Sequence, residues 1–440
     1  MSGGAPVSGG ATIRAGADAG PAEHADPATA TSGVEVDGDG AAATRLSGYL
    51  RGDGRKGLRN VLVVAYLVEC AHHVAREIAD RYRDRDVHLI GFPGCYPNAY
   101  ALAMLEKLCT HPNVGAALLV SLGCEGMNKR QLGRTISASG RPVSLLGIQD
   151  HGGTRSTITA GRAWIDETLP QLEAAARVPM RIDELTVGTI CGGSDATSGL
   201  TANPAMGHAF DLLVAAGAKT IFEETGELIG MEDLMAARAA RTELAPELKA
   251  SVAKAARYYA TLGYASFAPG NAEGGLTTIE EKSLGAYAKS GQSPISGIVK
   301  PGIEPPAAGL YLLDVVPDGE VRFGFPNIND NAEIAELISC GAQIILFSTG
   351  RGSVVGSAIA PVIKVCANPD TWKRMGDDMD VDAGRILEGR ATLPEVGVEI
   401  RDLVLSDGAG ERTKSELLGH REFVLTYKSF EALGPACLAR

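Results

Sequence analysis

The sequence predicts an α/β protein with two Rossmann-like α/β domains of mainly parallel sheets, preceded by a disordered tail. Two successive series of short apolar runs, each run followed by an amphipathic stretch of helical length, predict the two domains. The tail is predicted because residues 1–44 contain no Leu, Phe, Tyr or Trp and cannot offset their ordering entropy by burying apolar surface.

The first predicted domain spans residues 45–180. Its predicted strands are Val61–Ala65, Val87–Gly91, Ala116–Ser121 and Val143–Ile148, and its predicted helices are Ala71–Arg81, Ala99–Cys109, Lys129–Ala138 and Thr157–Ala175. Continuous apolar strands that alternate with helices indicate a parallel sheet with both faces covered.

The second predicted domain spans residues 181–440 and follows a polar connection at residues 176–184. Its predicted strands are Glu184–Ile190, Lys219–Glu223, Tyr311–Val315, Ile344–Phe347 and Val362–Val365, and its predicted helices are Pro204–Ala216, Met231–Leu262, Thr278–Lys289 and Ala332–Ser339. The same alternation again predicts a parallel sheet.

Composition excludes several classes of protein. The formal net charge is -12, and Lys and Arg are not clustered, which argues against a nucleic-acid partner. The longest apolar stretch, Val61–Ala75, is too short for a bilayer and carries Glu69, so we expect no membrane span. The eight cysteines are scattered singly and do not suggest a disulfide framework, which predicts a reducing, cytoplasmic location.

Four loops that follow predicted strands carry groups suited to chemistry. Ligands of open parallel sheets gather at the carboxyl ends of the strands, and these loops contain Cys95, Cys124, Cys191 and His151. Thiolates favour iron, zinc or an iron–sulfur cluster. Because no CxxC pair is present, a role as a small buried apolar residue remains the alternative for each loop cysteine. We adopt that structural role for Cys70, Cys109, Cys340 and Cys366.

The stretch TICGGSDATSGLTANPAMG, residues 189–207, is the most polar of these strand ends. Asn203 followed by Pro204 predicts a helix N-cap with proline at the first helical position. The remaining side chains, Cys191, Ser194, Asp195, Ser198 and Thr201, either satisfy the backbone of the loop or bind a hydroxyl-rich ligand. Their density beside two glycines favours the ligand.

Seven segments give the chain a recognisable resemblance. They are, in order, GYLRGDGRKGLRNVLVV, SLGCEGMN, CGGSDATSGLTANPAMG, ETGELIG, PGNAEGGLTTIEEKSLG, STGRGSVVG and DDMDVDAG. Together they resemble the altronate and galactarate dehydratase family, from about Gly48 to Gly408. The resemblance implies an iron-dependent hydro-lyase that converts a sugar acid to a 2-keto-3-deoxy acid, with iron as Fe²⁺ or an iron–sulfur cluster.

The resemblance leaves alternatives open. Related proteins cleave sulfite from sulfolactate with a large and a small subunit, so this chain is alternatively the large subunit of a sulfo-lyase, or a non-catalytic subunit that binds a sugar acid. Many members carry a histidine before the first loop cysteine, where this chain has Phe92 and Pro93. The small N-terminal β-rich domain of fused members is also missing. We therefore expect an oligomer, with a possible separate small β-rich subunit.

Metal and proton-transfer roles follow from residue types together with the resemblance. Cys95, Cys124 and Cys191 are the candidate metal ligands, and three ligands leave an open position for substrate. Glu125 either binds metal, transfers a proton or caps the following helix. His151 is the first candidate base because its unperturbed pKa lies near neutrality. Lys282 is the second candidate base, with a solvated helix face as its alternative role.

The predicted substrate-binding residues lie mainly in the second domain. Arg351 offers a bidentate fork for the substrate carboxylate. Thr278 and Glu281 form a predicted capping box and have a structural role. The complete predicted substrate-binding set is Ser194, Asp195, Ser198, Asn203, Asn271, Thr277 and Arg351.

Overall fold

The computed structural model describes residues 46–261, 266–318, 329–426 and residue 428. The predicted disordered tail, residues 1–44, lies outside the described residues. Within the described residues, no helix is both long enough and apolar enough to cross a bilayer.

The secondary structure alternates along most of the chain, as the predicted α/β class requires. The strands are β1 (Ser47–Leu50), β2 (Lys56–Gly57), β3 (Val61–Tyr66), β4 (Val87–Gly91), β5 (Val114–Ser121), β6 (Val143–Gly147), β7 (Val178–Pro179), β8 (Thr186–Cys191), β9 (Lys219–Phe222), β10 (Ile295–Val299), β11 (Gly309–Leu313), β12 (Ile344–Thr349), β13 (Val362–Cys366) and β14 (Val381–Asp382). The α-helices are α1 (Glu69–Ala79), α2 (Ala99–Cys109), α3 (Lys129–Ala138), α4 (Thr154–Glu173), α5 (Ala202–Ala215), α6 (Glu232–Ala237), α7 (Leu244–Thr261), α8 (Pro269–Glu273), α9 (Ile279–Ala288), α10 (Asp330–Ser339), α11 (Pro369–Met375), α12 (Leu393–Ala409) and α13 (Lys414–Leu418).

The first parallel sheet has the strand order β4-β3-β5-β6. Successive side chains of a strand point to opposite faces. Leu62 and Val64 of β3 therefore pack with α1 and α4, whereas Val63 and Ala65 face α2 and α3. Every residue of β5 is buried, which explains why its sequence is continuously apolar.

The second parallel sheet has the order β10-β11-β9-β8-β12-β13-β14 within the described residues. Helices α5 and α12 cover one face, and α10 packs against the other. Helix α2 of the first sheet contacts α10, so one hydrophobic cluster runs between the two sheets. The two sheets lie on opposite sides of residue 180 in the sequence.

A small antiparallel sheet of β2, β1 and β7 joins the segment before the first parallel sheet to the segment after it. These strands have two to four residues each, too few to produce a periodic pattern. The Arg177 guanidinium supports the junction by donating to the backbone oxygens of Ser47, Leu58 and Gly408.

The structure confirms the α/β fold class and corrects three local predictions. Cys70 is exposed, so the buried structural role predicted for it is wrong. The helix predicted over Met231–Leu262 is divided into α6 and α7. Asn203 is not an N-cap, because α5 begins at Ala202 and Thr201 occupies the capping position. The Asn203 side chain instead donates to the backbone oxygen of Gly285 at 3.0 Å and accepts from Ser348. Strands β10 and β14 and helices α8, α11, α12 and α13 are absent from the sequence-based prediction.

Candidate active site

A cavity of about 690 Å³ opens beyond the carboxyl ends of β8 and β9 and beside the first turn of α10. Parallel strands place their carboxyl ends at one edge of the sheet, which is where ligands of such folds bind. The ionisable residues that line this cavity are Cys191, Glu224, Glu227, Lys282, Asp330, Glu333 and Arg351. Most of them are buried, so their charges interact in a medium of low polarity.

Cys191, Glu224 and Glu227 form a compact group at the floor of the cavity. The Cys191 Sγ lies 3.1 Å from Glu224 Oε2 and 3.6 Å from Glu227 Oε2. Ser194 Oγ donates to the same sulfur at 3.4 Å. Burial raises the pKa of the Cys191 thiol, while the neighbouring Lys289 ammonium acts to lower it.

Glu224 has an unusual backbone that directs its carboxylate to this group. Its φ is 92°, and among the described residues it is the single non-glycine residue with positive φ. Such a conformation costs about 1–3 kcal/mol and recurs at functional sites. One carboxylate oxygen accepts from the Cys191 N–H at 2.9 Å, and the other forms an ion pair with Lys289. Lys289 is completely buried, and its Nζ lies 3.4 Å from Cys191 Sγ.

Lys282 forms the second buried ion pair of the cavity. Its ammonium pairs with Glu227 and donates to the backbone oxygen of Ser266 at 2.7 Å. Burial opposes the charged form, but Glu227 and Cys191 outweigh it and raise the pKa of Lys282. The interpretation of Lys282 as a residue on a solvated face is therefore wrong. A lysine held in its protonated form is also poorly suited to abstract a proton.

Three other carboxylates of this region are shifted toward their protonated forms. Burial, with a contribution from the charge of Glu227, raises the pKa of Asp330 to about 6. Burial likewise raises the pKa of Glu333 well above its usual value, and nearby Glu223 adds to this shift. Glu223 itself is fully buried, and burial raises its pKa in the same direction. Such shifts are common where side chains take part in chemistry.

The donor atoms at the floor of the cavity suit a metal ion. One ligand atom from each of Cys191, Glu224 and Glu227 lies within 4.8 Å of the other two. A thiolate with two carboxylates matches the ligand preferences of Fe²⁺ and Zn²⁺. An iron–sulfur cluster is held mainly by several thiolates, so this set fits a single metal ion better.

The structure does not bring the three predicted cysteine ligands together. Among the described residues, Cys95 and Cys124 do not share a ligand set with Cys191. Both are exposed, and their loops contact each other through the Gly126 N–H, which donates to the Cys95 oxygen at 2.7 Å. Their part in metal binding stays a prediction.

His151 and Glu125 also lie outside the lining of the cavity. His151 is exposed, and its Nδ1 lies 3.0 Å from the Gly147 oxygen. Its predicted role as base remains a prediction.

Glu125 is held by its own loop. Its buried carboxylate accepts from the Ser121 hydroxyl and from the Gly123 N–H at 2.8 Å. Burial alone raises the pKa of Glu125, but these hydrogen bonds outweigh burial and lower it. The capping role is wrong, because Asn128 caps α3 by accepting from the Gln131 N–H at 3.1 Å.

The predicted substrate-binding residues are divided between two adjacent cavities. Ser194, Asn271 and Arg351 line the cavity of Cys191. Asp195, Ser198 and Asn203 line a neighbouring cavity of about 620 Å³, whose wall also includes Ser194 and Lys282. Thr277 lines neither cavity, and its hydroxyl donates to Glu281 at 2.6 Å.

Two of these residues have clear contacts. Asp195 organises its own loop by accepting from the Thr197 N–H at 2.9 Å and from Asn368 Nδ2 at 2.9 Å. Arg351 is partly exposed and pairs with Glu273 at 2.9 Å. The Arg351 guanidinium therefore stands where an incoming acid group could exchange with the Glu273 carboxylate. The predicted N-cap Thr278 is confirmed, since its side chain accepts from the Glu281 N–H. The reciprocal half of the predicted capping box is wrong, because the Glu281 carboxylate accepts from the Thr277 N–H at 2.8 Å.

Sequence reasoning missed most of the buried charges of the site. Glu223, Glu224 and Glu227 follow β9 directly, so the strand-end rule that selected the cysteine loops would also have selected them. Lys289, the C-cap residue of α9, lies seven residues after Lys282, a spacing that places both on one helix face. Asp330 and Glu333 lie in the first turn of α10, where acidic residues are common for structural reasons.

The chain matches known proteins along nearly all of its described length. Residues 182–430 match the family described as D-galactarate/Altronate dehydratase, C-terminal. Residues 48–173 match the family described as D-galactarate dehydratase/Altronate hydrolase, second domain.

Three relatives are similar over most of this chain. The (2R)-sulfolactate sulfo-lyase subunit beta of Chromohalobacter salexigens is 33% identical, with 86% of this chain and 96% of that protein covered. The altronate dehydratase of Escherichia coli is 29% identical, with 86% of this chain and 76% of that protein covered. The galactarate dehydratase (L-threo-forming) of Escherichia coli is 32% identical, with 83% of this chain and 73% of that protein covered.

Proposed function

This chain belongs to the D-galactarate/altronate dehydratase family, and from that membership we propose that it is a metal-dependent hydro-lyase that dehydrates a sugar acid to a 2-keto-3-deoxy acid. The observation that carries the proposal is the buried group of Cys191, Glu224 and Glu227, which is faced by the ammonium groups of Lys282 and Lys289. This arrangement combines a metal-binding donor set with two buried ammonium groups that partly offset its negative charge.

Dehydration of a 2,3-dihydroxy acid has two chemical demands. A weakly acidic proton beside the carboxylate must be removed, and hydroxide, a poor leaving group, must depart. Asp330 can meet the second demand, because a pKa raised to about 6 makes its carboxyl a more available proton donor near neutral pH than an ordinary aspartate. Lys282 is protonated and buried, so it stabilises negative charge that develops on the substrate.

Iron is the proposed metal, and Cys191, Glu224 and Glu227 are the residues that hold it. When bound, iron supplies Lewis acidity toward the carboxylate or a hydroxyl of the substrate. Arg351 at the cavity wall binds the acid group, and Ser194 and Asn271 contribute polar contacts to substrate hydroxyls. His151, Glu125, Cys95 and Cys124 remain candidates whose roles are tested by substitution.

A second candidate function is supported by one specific similarity. The relative named as a sulfo-lyase subunit beta is covered over 96% of its length. The same site could then release sulfite from sulfolactate, with a separate small subunit as partner. We favour dehydration, because sulfite can leave without a proton whereas hydroxide needs the acid group that Asp330 offers. A cytoplasmic location and an oligomeric state are further parts of this proposal.

The test is an assay of anaerobically purified, iron-loaded chain against altronate, galactarate and sulfolactate. The proposal expects a 2-keto-3-deoxy acid from a sugar acid, and expects Asp330→Asn to lose most of this activity. Sulfite release from sulfolactate alone would establish the second candidate. Binding of a sugar acid with no product, with and without a small subunit, would instead indicate a binding subunit.

A further inference from the structure

A second group of ligand atoms lies next to the Cys191 group and contains oxygen donors alone. Glu223, Glu224 and Glu333 each place one carboxylate oxygen within 4.8 Å of the other two, and all three residues are buried. Glu223 and Glu224 follow β9, whereas Glu333 comes from the first turn of α10. Two elements far apart in the sequence therefore converge on one point.

Glu223 is an independent indication that a ligand belongs at this point. Its side chain is fully buried, and neither carboxylate oxygen has a hydrogen-bond partner among the described residues. Buried polar groups are almost always hydrogen-bonded, and buried carboxylates are paired or bind metal. The described residues do not explain why a carboxyl group without a hydrogen-bond partner lies beside two other carboxylates.

The charges of the region also favour a bound cation, because carboxyl groups outnumber ammonium groups there. Five carboxyl groups meet here, namely Glu223, Glu224, Glu227, Asp330 and Glu333. Two ammonium groups face them, and in the described chain these pair with Glu227 and Glu224 rather than with Glu223 or Glu333. A cation at the Glu223 side would compensate Glu223 and Glu333, with which no ammonium group of the described residues forms an ion pair.

We propose that Glu223, Glu224 and Glu333 form a second cation site for a hard divalent cation such as Mg²⁺ or Mn²⁺. Carboxylate oxygens are the donors that these ions prefer. Opposite oxygens around Mg²⁺ lie about 4.2 Å apart, twice the metal–oxygen distance of about 2.1 Å. The three oxygens lie within 4.8 Å of one another, so small side-chain movements would let all of them contact one ion.

Glu224 belongs to both groups and would bridge the two ions. Its left-handed backbone places one carboxylate beside Cys191 and Glu227 and also beside Glu223 and Glu333. Paired metal sites bridged in this way hold a substrate between two positive charges. The bridging role rests on the proposed function of the Cys191 group, whereas the second site itself rests only on the three glutamates.

The experiment titrates the full chain with Mn²⁺ alone and counts bound ions by electron paramagnetic resonance. The wild type should bind one Mn²⁺ at this site. Glu223→Gln and Glu333→Gln should bind that ion at least about tenfold more weakly, because substitutions of residues that only surround the metal ligands already commonly lower metal affinity by that factor. Iron per chain, measured separately, should be unchanged in both variants. Glu227→Gln is the matched control, and it should lower iron while the Mn²⁺ site is retained.

Thermal melts guard against misfolded variants. Mn²⁺ should raise the melting temperature of the wild type and of Glu227→Gln, but not that of Glu223→Gln. Equal Mn²⁺ binding by the wild type and Glu223→Gln, or no Mn²⁺ binding by the wild type, would overturn the second site. If the wild type binds Mn²⁺ as expected but shows no lyase activity, the result would count against the proposed function and not against the second site.

Discussion

The carboxyl edges of the two parallel sheets differ in what surrounds their polar side chains. At the edge of the first sheet, Cys95, Cys124 and His151 lie in exposed loops. At the edge of the second sheet, Cys191 and Lys289 are buried and in contact. The same fold rule identifies both edges, but the first buries the single carboxylate of Glu125, whereas the second withdraws several charged groups from water together. Charges withdrawn from water interact strongly and shift pKa values, so the second edge is where we expect the chemistry to take place.

The largest effect is expected from the buried ammonium of Lys289. Lys289→Met leaves the Glu224 carboxylate buried without its partner, a change that typically costs about 3–5 kcal/mol of the free energy of unfolding. Urea denaturation measures the loss. Lys249→Met is the control, because Lys249 pairs with Asp233 at the surface and its removal should leave stability nearly unchanged. Equal effects of the two substitutions would show that burial does not distinguish the second edge.

An intermediate effect, dependent on pH, is expected at Asp330. Burial, with the charge of Glu227, raises the pKa of Asp330 from its ordinary 3.8 to about 6. The folded state then holds this proton more tightly than the unfolded state, so the stabilisation is complete below pH 4 and is lost as the pH rises through 6. An asparagine side chain would stay neutral throughout, so the stability of Asp330→Asn relative to wild type should increase by about 2–3 kcal/mol between pH 4 and pH 7.5.

Urea denaturation of metal-free protein across that pH range checks the prediction at Asp330. Asp402→Asn serves as control, because Asp402 is an exposed residue whose substitution should show no such trend. A flat pH profile for Asp330→Asn would show that Asp330 is not perturbed by its surroundings.

A smaller effect is expected from the backbone of Glu224. Both Glu224→Gly and Glu224→Ala remove the carboxylate, but only glycine adopts a φ of 92° without strain. The glycine variant should therefore be more stable than the alanine variant by about 1 kcal/mol. Both variants should lose bound metal. Equal melting temperatures would show that the left-handed backbone relaxes once the carboxylate is gone.

The sequence predicts the fold better than it predicts the site, and the reason is physical. Apolar runs such as Val61–Tyr66 and Ile344–Thr349 are local signals, so their strands are predicted within a few residues. The partners of Cys191 come from distant positions: Lys289 is 98 residues away in the sequence. The strained φ of Glu224 exists only because the packed structure enforces it. Neither leaves a local pattern in the chain.

Asn203 and Lys282 show the same limit, because for these two residues a local pattern exists but predicts the wrong role. Each has a common local role, as a helix cap and as a solvated lysine, and each is instead buried by tertiary contacts. Local propensity is a weak guide to the role of a side chain that contacts a different secondary-structure element. Both of these departures lie in the wall of the cavity of about 620 Å³.

The central claim is that the metal belongs to the edge of the second sheet. The direct measurement is iron per chain in three anaerobically purified variants, Cys191→Ser, Cys95→Ser and Cys124→Ser. The controls are Cys109→Ser and Cys366→Ser, in which the cysteine is buried. These controls should lose stability but retain iron. We predict that Cys191→Ser loses its iron, because a hydroxyl replaces the soft thiolate beside Glu224 and Glu227. Cys95→Ser and Cys124→Ser should retain full iron. Equal loss of iron in all three loop variants, or full iron in Cys191→Ser, would contradict the account.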